Sequence, residues 1–487
     1  MAVIVLAFLM FILGGSSYPC SYLKECIKEI KRKDIKSSDV WLYLLHYENG
    51  RSHIDHSYFF ISKRGREDPY SELLETIKEL FKGTPVKCRF PARVYYLKGM
   101  LGIRIDLGEC DNFKYFLNKL KGNKIYLVYA NQYPRSLSSL FGHLFLKIGS
   151  EKSGYYMVSY TADTTVGKGL LYPFKSIFGY YRGYFSVVPY TEGVRDYINK
   201  QRRTLYEFEI NLRNYEIDLI KRHIWELLHV KPSYYFLQGN CASSINDIIL
   251  INKERKGIFP PWIVPTDVVT DLYERGILKD KNEQKLFHKS QKVSLEYSIF
   301  NYEVILTYRP IYHDLLDKPE GFRRGYELIA SEVSISYSRK KEVAFFDRWR
   351  MFKMSYLSDI KEGISWIFDI GLRRYTDSIY SLYSEGGLGL SLYMKDLTLF
   401  AMPYLSYMYR EFIISAMQGV LFQNTYISFA IYLNLGKSLV YNRYVNLFRG
   451  GLDIHPHYRY SLRLEYDENL YEGIKNNEAT VSFSFFF

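Results

Sequence analysis

The strongest constraint on the fold lies in the last third of the chain, where apolar and polar side chains alternate with a period of two over segments of about ten residues. Val333, Ile335 and Tyr337 alternate with Ser334, Ser336 and Ser338, and Leu388, Leu390, Leu392 and Met394 with Gly389, Ser391 and Tyr393. Ile427, Phe429, Ile431, Leu433 and Leu435 oppose Ser428, Tyr432 and Asn434, while Tyr458, Tyr460, Leu462, Leu464 and Tyr466 oppose Arg459, Ser461, Arg463 and Glu465. Ile364 to Arg373 follow the same rule with Ile367 as the exception. A helix repeats near 3.6 residues and cannot present such a pattern, so these segments are strands. A soluble sandwich and a transmembrane barrel both alternate, and alternation alone does not separate them. Aromatics crowding the strand ends, charges confined to one face, and the terminal run Val481-Ser482-Phe483-Ser484-Phe485-Phe486-Phe487 favour the barrel. The 48 Tyr and 32 Phe, far more than a soluble enzyme needs, then have a place at the membrane boundaries.

A chain ending on an aromatic strand resembles the assembly signal of bacterial outer-membrane proteins. Residues 324–487 therefore read as an antiparallel transmembrane β-barrel of about ten strands, with Pro403 and the segment Ser290 to Pro310 able to be counted in or out. At the other end, Ala2 to Leu13 form an apolar run followed by Gly14, Gly15, Ser16 and Ser17, and residues 1–17 read as a signal peptide. The run is shorter than the roughly 20 residues a membrane-spanning helix requires. Export to the outer membrane is the expectation. The net charge is +13, but no basic run is long enough to point to nucleic acid, which is not expected as a partner.

A chain of 487 residues exceeds what one core organises, so it divides into several domains. Residues 18–118 read as a helical and mixed periplasmic domain, 119–289 as an α+β periplasmic catalytic domain, and 290–323 as a connecting segment. The spacing of Leu73, Leu74, Ile77, Leu80 and Phe81 predicts a helix over Tyr70 to Gly83. Short strands are expected at Ile125 to Tyr129, His143 to Ile148, Tyr155 to Thr161 and Tyr184 to Pro189. Helices are expected over Glu216 to Val230 and through Ile245, Ile248 and Ile249, with Pro260-Pro261 as an exit loop.

Five cysteines leave at least one unpaired. Cys20 with Cys26, and Cys88 with Cys110, make plausible local disulfides, and Cys241 is the solitary one. A lone thiol in an oxidising compartment is either buried and inert or retained for chemistry. The stretch His46 to His53, with His56 after it, admits a metal-site reading, but no Cys or paired carboxylate stands at ligand spacing, so it reads as a polar loop.

Asn240 can cap a helix whose first turn holds Cys241, where free backbone N–H groups and the helix dipole stabilise a thiolate. An imidazole that takes the thiol proton and later protonates a leaving group completes this activation logic, and His143, on the strand face opposite Leu144, Leu146 and Ile148, is the candidate. Asp163 is the candidate to orient it. The bland alternative makes Cys241 a small buried hydrophobe and His143 a satisfied core histidine.

The order of these residues, His on a strand and then Cys opening a helix after Asn, resembles the circularly permuted papain-like fold of the NlpC-type peptidases and of lecithin:retinol acyltransferase. The ordered blocks Leu44-Leu45-His46-Tyr47, Cys88-Arg89-Phe90-Pro91-Ala92-Arg93, Phe141-Gly142-His143, Phe178-Gly179-Tyr180-Tyr181-Arg182-Gly183, Trp225-Glu226-Leu227 and Asn240-Cys241 are more closely similar to the Lnb-type lipoprotein N-acyltransferase family of Gram-negative bacteria. The match spans roughly residues 40 to 285. The resemblance implies that Cys241 takes an acyl chain from a phospholipid as a thioester and passes it to the N-terminal amine of a diacylglyceryl-cysteine lipoprotein, with His143 as base and then acid. It requires no metal or organic cofactor. The aromatic segment Leu170 to Tyr190, with Lys175 and Arg182, would then seat acyl chains or headgroups, or serve as a core lid. Water as acceptor would make a phospholipase, a peptide substrate a cell-wall endopeptidase, and a structural Cys241 a non-enzymatic binding module.

Overall fold

Local chemistry sets the elements of the first of two units, which comprises residues up to Val128 with Leu144–Asp196 and Glu207–Ile263. The computed structural model describes residues 20–103, 110–163, 175, 178–251, 262–279, 286–374, 379–408, 411–471 and 474–487. Residues 1–17, Leu170, Phe174 and Pro260-Pro261, all singled out in the sequence, lie outside the described residues. Helix α1 (Leu23–Arg32) buries Cys26 and Ile30. Helix α2 (Pro69–Phe81) starts where Asp68 accepts the Tyr70 and Ser71 N–H groups and Pro69 supplies a preset φ at the first position. Helix α3 (Pro91–Leu101) stops at Gly102, whose φ of 69° continues no helix. Trp41, Leu45, Leu73, Ile77 and Leu97 form their shared core. Cys20 is bonded to Cys26 and Cys88 to Cys110, as the spacing anticipated.

Strands β1 (Tyr47–Glu48) and β2 (Arg51–Ser52) form a hairpin in register Glu48 to Arg51 and Tyr47 to Ser52. Its two-residue turn is Asn49-Gly50, both at positive φ, the conformation an Asn-Gly pair favours.

A six-stranded sheet in the order β7-β3-β4-β5-β6-β8 follows, built from β3 (Lys124–Ala130), β4 (His143–Ser150), β5 (Gly154–Ala162), β6 (Tyr181–Pro189), β7 (Leu205–Glu209) and β8 (Ser233–Tyr234). The expected strands are present, with β6 starting three residues before the predicted Tyr184. Helix α4 (Asn214–Leu227), expected over Glu216 to Val230, buries Ile217, Ile220, Ile224 and Leu227 as one apolar stripe. Helix α5 (Cys241–Ile249) buries Cys241, Ala242, Ile245, Ile248 and Ile249. The N-terminal region is thus α/β.

The second unit consists of Tyr129–His143, Tyr197–Tyr206 and Val264–Phe487. Its sheet contains β9 (Lys292–Ser298), β10 (Glu303–Arg309), β11 (Ile311–His313), β12 (Tyr326–Ser338), β13 (Val343–Tyr356), β14 (Ser365–Arg374), β15 (Tyr380–Met394), β16 (Leu397–Met408), β17 (Glu411–Gln423), β18 (Ile427–Ser438), β19 (Tyr444–His457), β20 (Tyr460–Tyr471) and β21 (Ile474–Phe486). Each strand from β12 to β21 pairs antiparallel with the next, β21 pairs with β9, β9 with β10, and β10 with β12, which closes the ring. The result is a twelve-stranded antiparallel barrel with β11 as an extra strand on β12. The expected ten strands are corrected to twelve, because the segment read as a connector contributes β9 and β10. Pro403 sits within β16, opposite Ala416.

Alternation sorts the barrel's side chains. Leu295, Ile335, Leu388, Leu405, Ile414, Ile431, Leu464 and Phe483 lie exposed on the outer face, as a hydrocarbon-facing band must. Arg309, Glu332, Asp369, Asp453 and Arg463 are buried on the inner face. After β11, the carboxylates of Asp314 and Asp317 meet the cations of Lys292, Arg309 and Arg463 at 2.6–3.4 Å. Leu316, Phe400, Met402, Met417 and Leu421 form an apolar cluster within the same unit. No described helix is long and apolar enough to cross a membrane. The barrel is an outer-membrane barrel, and the α/β domain ahead of it stands in the periplasm.

Candidate active site

Asn240 shapes the start of α5. Its side-chain oxygen accepts the Ala242 and Ser243 N–H groups at 2.9 and 3.1 Å, and the Ser243 hydroxyl accepts the Asn240 N–H at 3.0 Å. The same amide donates to the carbonyls of Phe236 and Ile263 at 2.9 and 2.8 Å. One side chain therefore caps the helix and ties down the turn before it. Cys241 is the first helical residue, 5% exposed, and is outside both disulfides. There it receives the positive end of the helix dipole.

Tyr160 of β5 lies beside Cys241. Burial, then the charges of Asp55 and of the Cys241 sulfur, hold its phenol protonated well above the usual range. Its ring stacks on Tyr234 at 5.6 Å and meets Phe185 at 4.8 Å. Asp55 accepts the Ser233 N–H and hydroxyl at 2.9 and 2.6 Å and pairs with Arg182 at 2.9 Å. Partial burial pushes the Asp55 carboxyl up, but the Ser233 hydrogen bonds and Arg182 outweigh it and leave the group below its ordinary value. Tyr160, Asp55 and Ser233 had no sequence signal, because their relevance comes from packing on β5, β6 and β8. Arg182, by contrast, was named in the sequence, within the block Phe178 to Gly183.

Asp163, after β5, lies 3.8 Å from the Lys231 ammonium, and its N–H donates to the Arg182 carbonyl at 2.7 Å. His143, the first residue of β4, belongs to the second unit, whereas Cys241 and Asp163 belong to the first. Burial, then the Arg203 charge, lowers the His143 pKa to about 3, so the ring is neutral at neutral pH. Arg203 itself donates to the Ala130 and Asn131 carbonyls at 2.7 and 2.5 Å.

An exposed aromatic group stands close to the start of α5. The ring of Tyr235 rests against Gly179, where any Cβ would come within 2.3 Å of it. The Tyr235 N–H donates to the Gly239 carbonyl, next to Asn240. Phe178 and Tyr180 flank Gly179 and are 77% and 58% exposed. Exposed aromatics in one group mark a contact surface.

Residues 112–275 match the Lnb N-terminal periplasmic domain. Residues 33–100 and 287–420 match two domains of unknown function, DUF7843 and DUF7840. No curated relative matches the chain. Among solved structures, the NanC porin is 11% identical, covering 41% of this chain and 100% of its own at a TM-score of 0.28. LpxR from Salmonella typhimurium is 11% identical, covering 40% and 100% at 0.26, and OmpT of Vibrio cholerae is 7% identical, covering 75% and 95% at 0.20. Likeness at that level adds nothing to the barrel already described. The periplasmic domain match, followed in the chain by an outer-membrane-type barrel, is consistent with the Lnb-type family.

Proposed function

We propose that the protein is a thiol-dependent lipoprotein N-acyltransferase, with a permuted papain-like catalytic domain. The observation that carries the reading is Cys241, outside both disulfides, at the capped start of a helix inside the matched Lnb domain. The Cys241 sulfur attacks an ester carbonyl of a phospholipid while His143 takes the thiol proton. The carbon–oxygen bond breaks, and the leaving lysophospholipid oxygen receives that proton, leaving an acyl thioester. The α-amine of a diacylglyceryl-cysteine lipoprotein then attacks the thioester. An amide forms, the carbon–sulfur bond breaks, and the proton lost by the amine returns to sulfur through His143. Asp163 orients the imidazole in this scheme, and no metal or organic cofactor enters it. The exposed Phe178, Tyr180 and Tyr235 suit a lipid substrate better than the polar groove a peptide needs.

Mass spectrometry of lipoprotein N-termini tests this, in a host depleted of its own N-acyltransferase and expressing wild type or Cys241→Ser. N-acylated termini with the wild type alone are expected. Unmodified termini in both, with the barrel correctly inserted, would overturn acyl transfer and leave hydrolysis of the same ester as the reading.

A further inference from the structure

The β1–β2 hairpin has a feature the proposed acyl-transfer chemistry does not use. Its register, Glu48 to Arg51 and Tyr47 to Ser52, sets His46 opposite His53 one step farther out. The His53 N–H donates to the His46 carbonyl at 3.1 Å, so the two are cross-strand neighbours. Their rings stand edge to face at 5.0 Å. Asp247, on α5, closes the group: its Oδ2 is 3.4 Å from His46 Nδ1 and 3.5 Å from His53 Nε2. The three ligand atoms all lie within 4.8 Å of one another. A tetrahedral zinc site with bonds of about 2.05 Å has edges of about 3.3 Å between ligand atoms. Two edges here already have that length.

A second observation, independent of these distances, comes from the protons behind His46. The Glu226 carboxylate accepts the Ala92 and Arg93 N–H groups at 2.7 and 3.1 Å and faces His223 Nδ1 at 3.2 Å. His223 Nδ1 therefore carries a proton, and in the neutral ring its Nε2 is an acceptor. In that tautomer His46 Nε2, 2.9 Å away, donates to it. His46 then presents its Nδ1 toward the Asp247 oxygen. That nitrogen and the carboxylate 3.4 Å away can hold a cation between them, either a metal ion or a proton on His46 itself. A carboxylate behind a histidine, fixing its tautomer, is the usual outer support of a metal-bound imidazole. His46 also has φ of 54°, a strained conformation for a histidine.

We propose that His46 Nδ1, His53 Nε2 and Asp247 bind a divalent transition-metal ion, with Zn2+ the best fit to two imidazoles and one carboxylate, and with a coordination position open to solvent. The ion would pin the hairpin, in the segment matching DUF7843, to the helix that starts at Cys241. Asp247 lies six residues along α5 from Cys241, about 9 Å of helical rise, so the ion and the thiol are separate centres. The histidines read as a polar loop thus gain, from 200 residues away in sequence, the carboxylate whose absence argued against a metal. The other such grouping among the described residues, His288, His313 and Asp317, carries no similar case, because Lys292, Arg309 and Arg463 already neutralise Asp317.

The test is titration of full-length, metal-stripped protein in detergent micelles with Zn2+ and with Co2+, whose visible spectrum reports ligand geometry. Wild type and Cys241→Ser should both bind one ion with a tetrahedral signature and melt at a higher temperature with it. His53→Ala, at a solvent-exposed position that tolerates truncation, should bind at least 10-fold more weakly and lose the melting shift. Asp247→Asn should do the same. No saturable binding by the wild type, or unchanged binding in His53→Ala, would overturn the proposal and make the group a protonated His46 paired with Asp247. Binding lost in Cys241→Ser but kept in His53→Ala would assign the ion to the thiol instead, and would equally overturn it.

Discussion

Gly183 has no side chain, and a Cβ there would lie 1.9 Å from the Tyr160 hydroxyl. The phenol beside Cys241 is placed by what its neighbour lacks; the Phe178 to Gly183 block was visible through a family resemblance, and Tyr160 had no such signal. Cys241 was legible because the fifth cysteine of an exported chain, after Asn and before an apolar stripe, has few innocent explanations. His46, His53 and Asp247 were not legible as a set, since spacing rules see only local ligands and Asp247 arrives through folding. His143 yields a prediction at this scale. Its folded pKa, about 3, lies below its ordinary 6.5, so in mild acid the unfolded chain takes up a proton from solvent that the resting native state does not. Its contribution to stability is complete above pH 6.5 and is lost as pH falls toward 3. Urea midpoints measured from pH 7 to pH 4 should fall less steeply for His143→Gln than for wild type, and equal slopes would show that the buried ring titrates normally.

At the scale of elements, the strands of the last third were legible because each carries its own alternation, whatever it pairs with. Strands β9 and β10 carry the pattern too: Val293, Leu295 and Tyr297 alternate with Ser294 and Glu296. They fall before residue 324, in the segment Ser290 to Pro310 that the sequence left able to be counted in or out of the barrel. The outer face of β15 makes the membrane assignment quantitative. Leu388 stands near the middle of the strand and Met394 at its end, both exposed outward. Arginine at a bilayer midplane costs about 2–4 kcal/mol, and near an interface about 0–1 kcal/mol. Leu388→Arg should therefore lower unfolding stability in lipid by several times more than Met394→Arg, as read by urea titration in vesicles. Equal costs would mean that the strand does not cross hydrocarbon.

For the whole molecule, the barrel's inner charges bear on what it is for. Arg309, Asp317 and Asp453 are fully buried, and Leu316, Phe400 and Met402 pack together as a core would. Buried charges this closely paired hold one another in place, and removing a single partner typically costs about 3–5 kcal/mol. An interior filled in this way does not form an aqueous pore. In planar bilayers the full-length protein should show no steady single-channel conductance, and stepwise porin-like openings would contradict a filled interior.

The closure of the barrel has a further consequence. Every strand pair from β12 to β21 joins neighbours in sequence, and one seam alone, β21 to β9, joins residues nearly two hundred positions apart, with Ser294 and Ser484 bonded across it. Until that seam forms, β9 and β21 each present a row of open backbone donors and acceptors, which in hydrocarbon has no tolerable fate and in water invites another chain. Loss of β21 would thus not thin the wall by a twelfth; it would leave an unclosed sheet, unable to settle in a membrane at all.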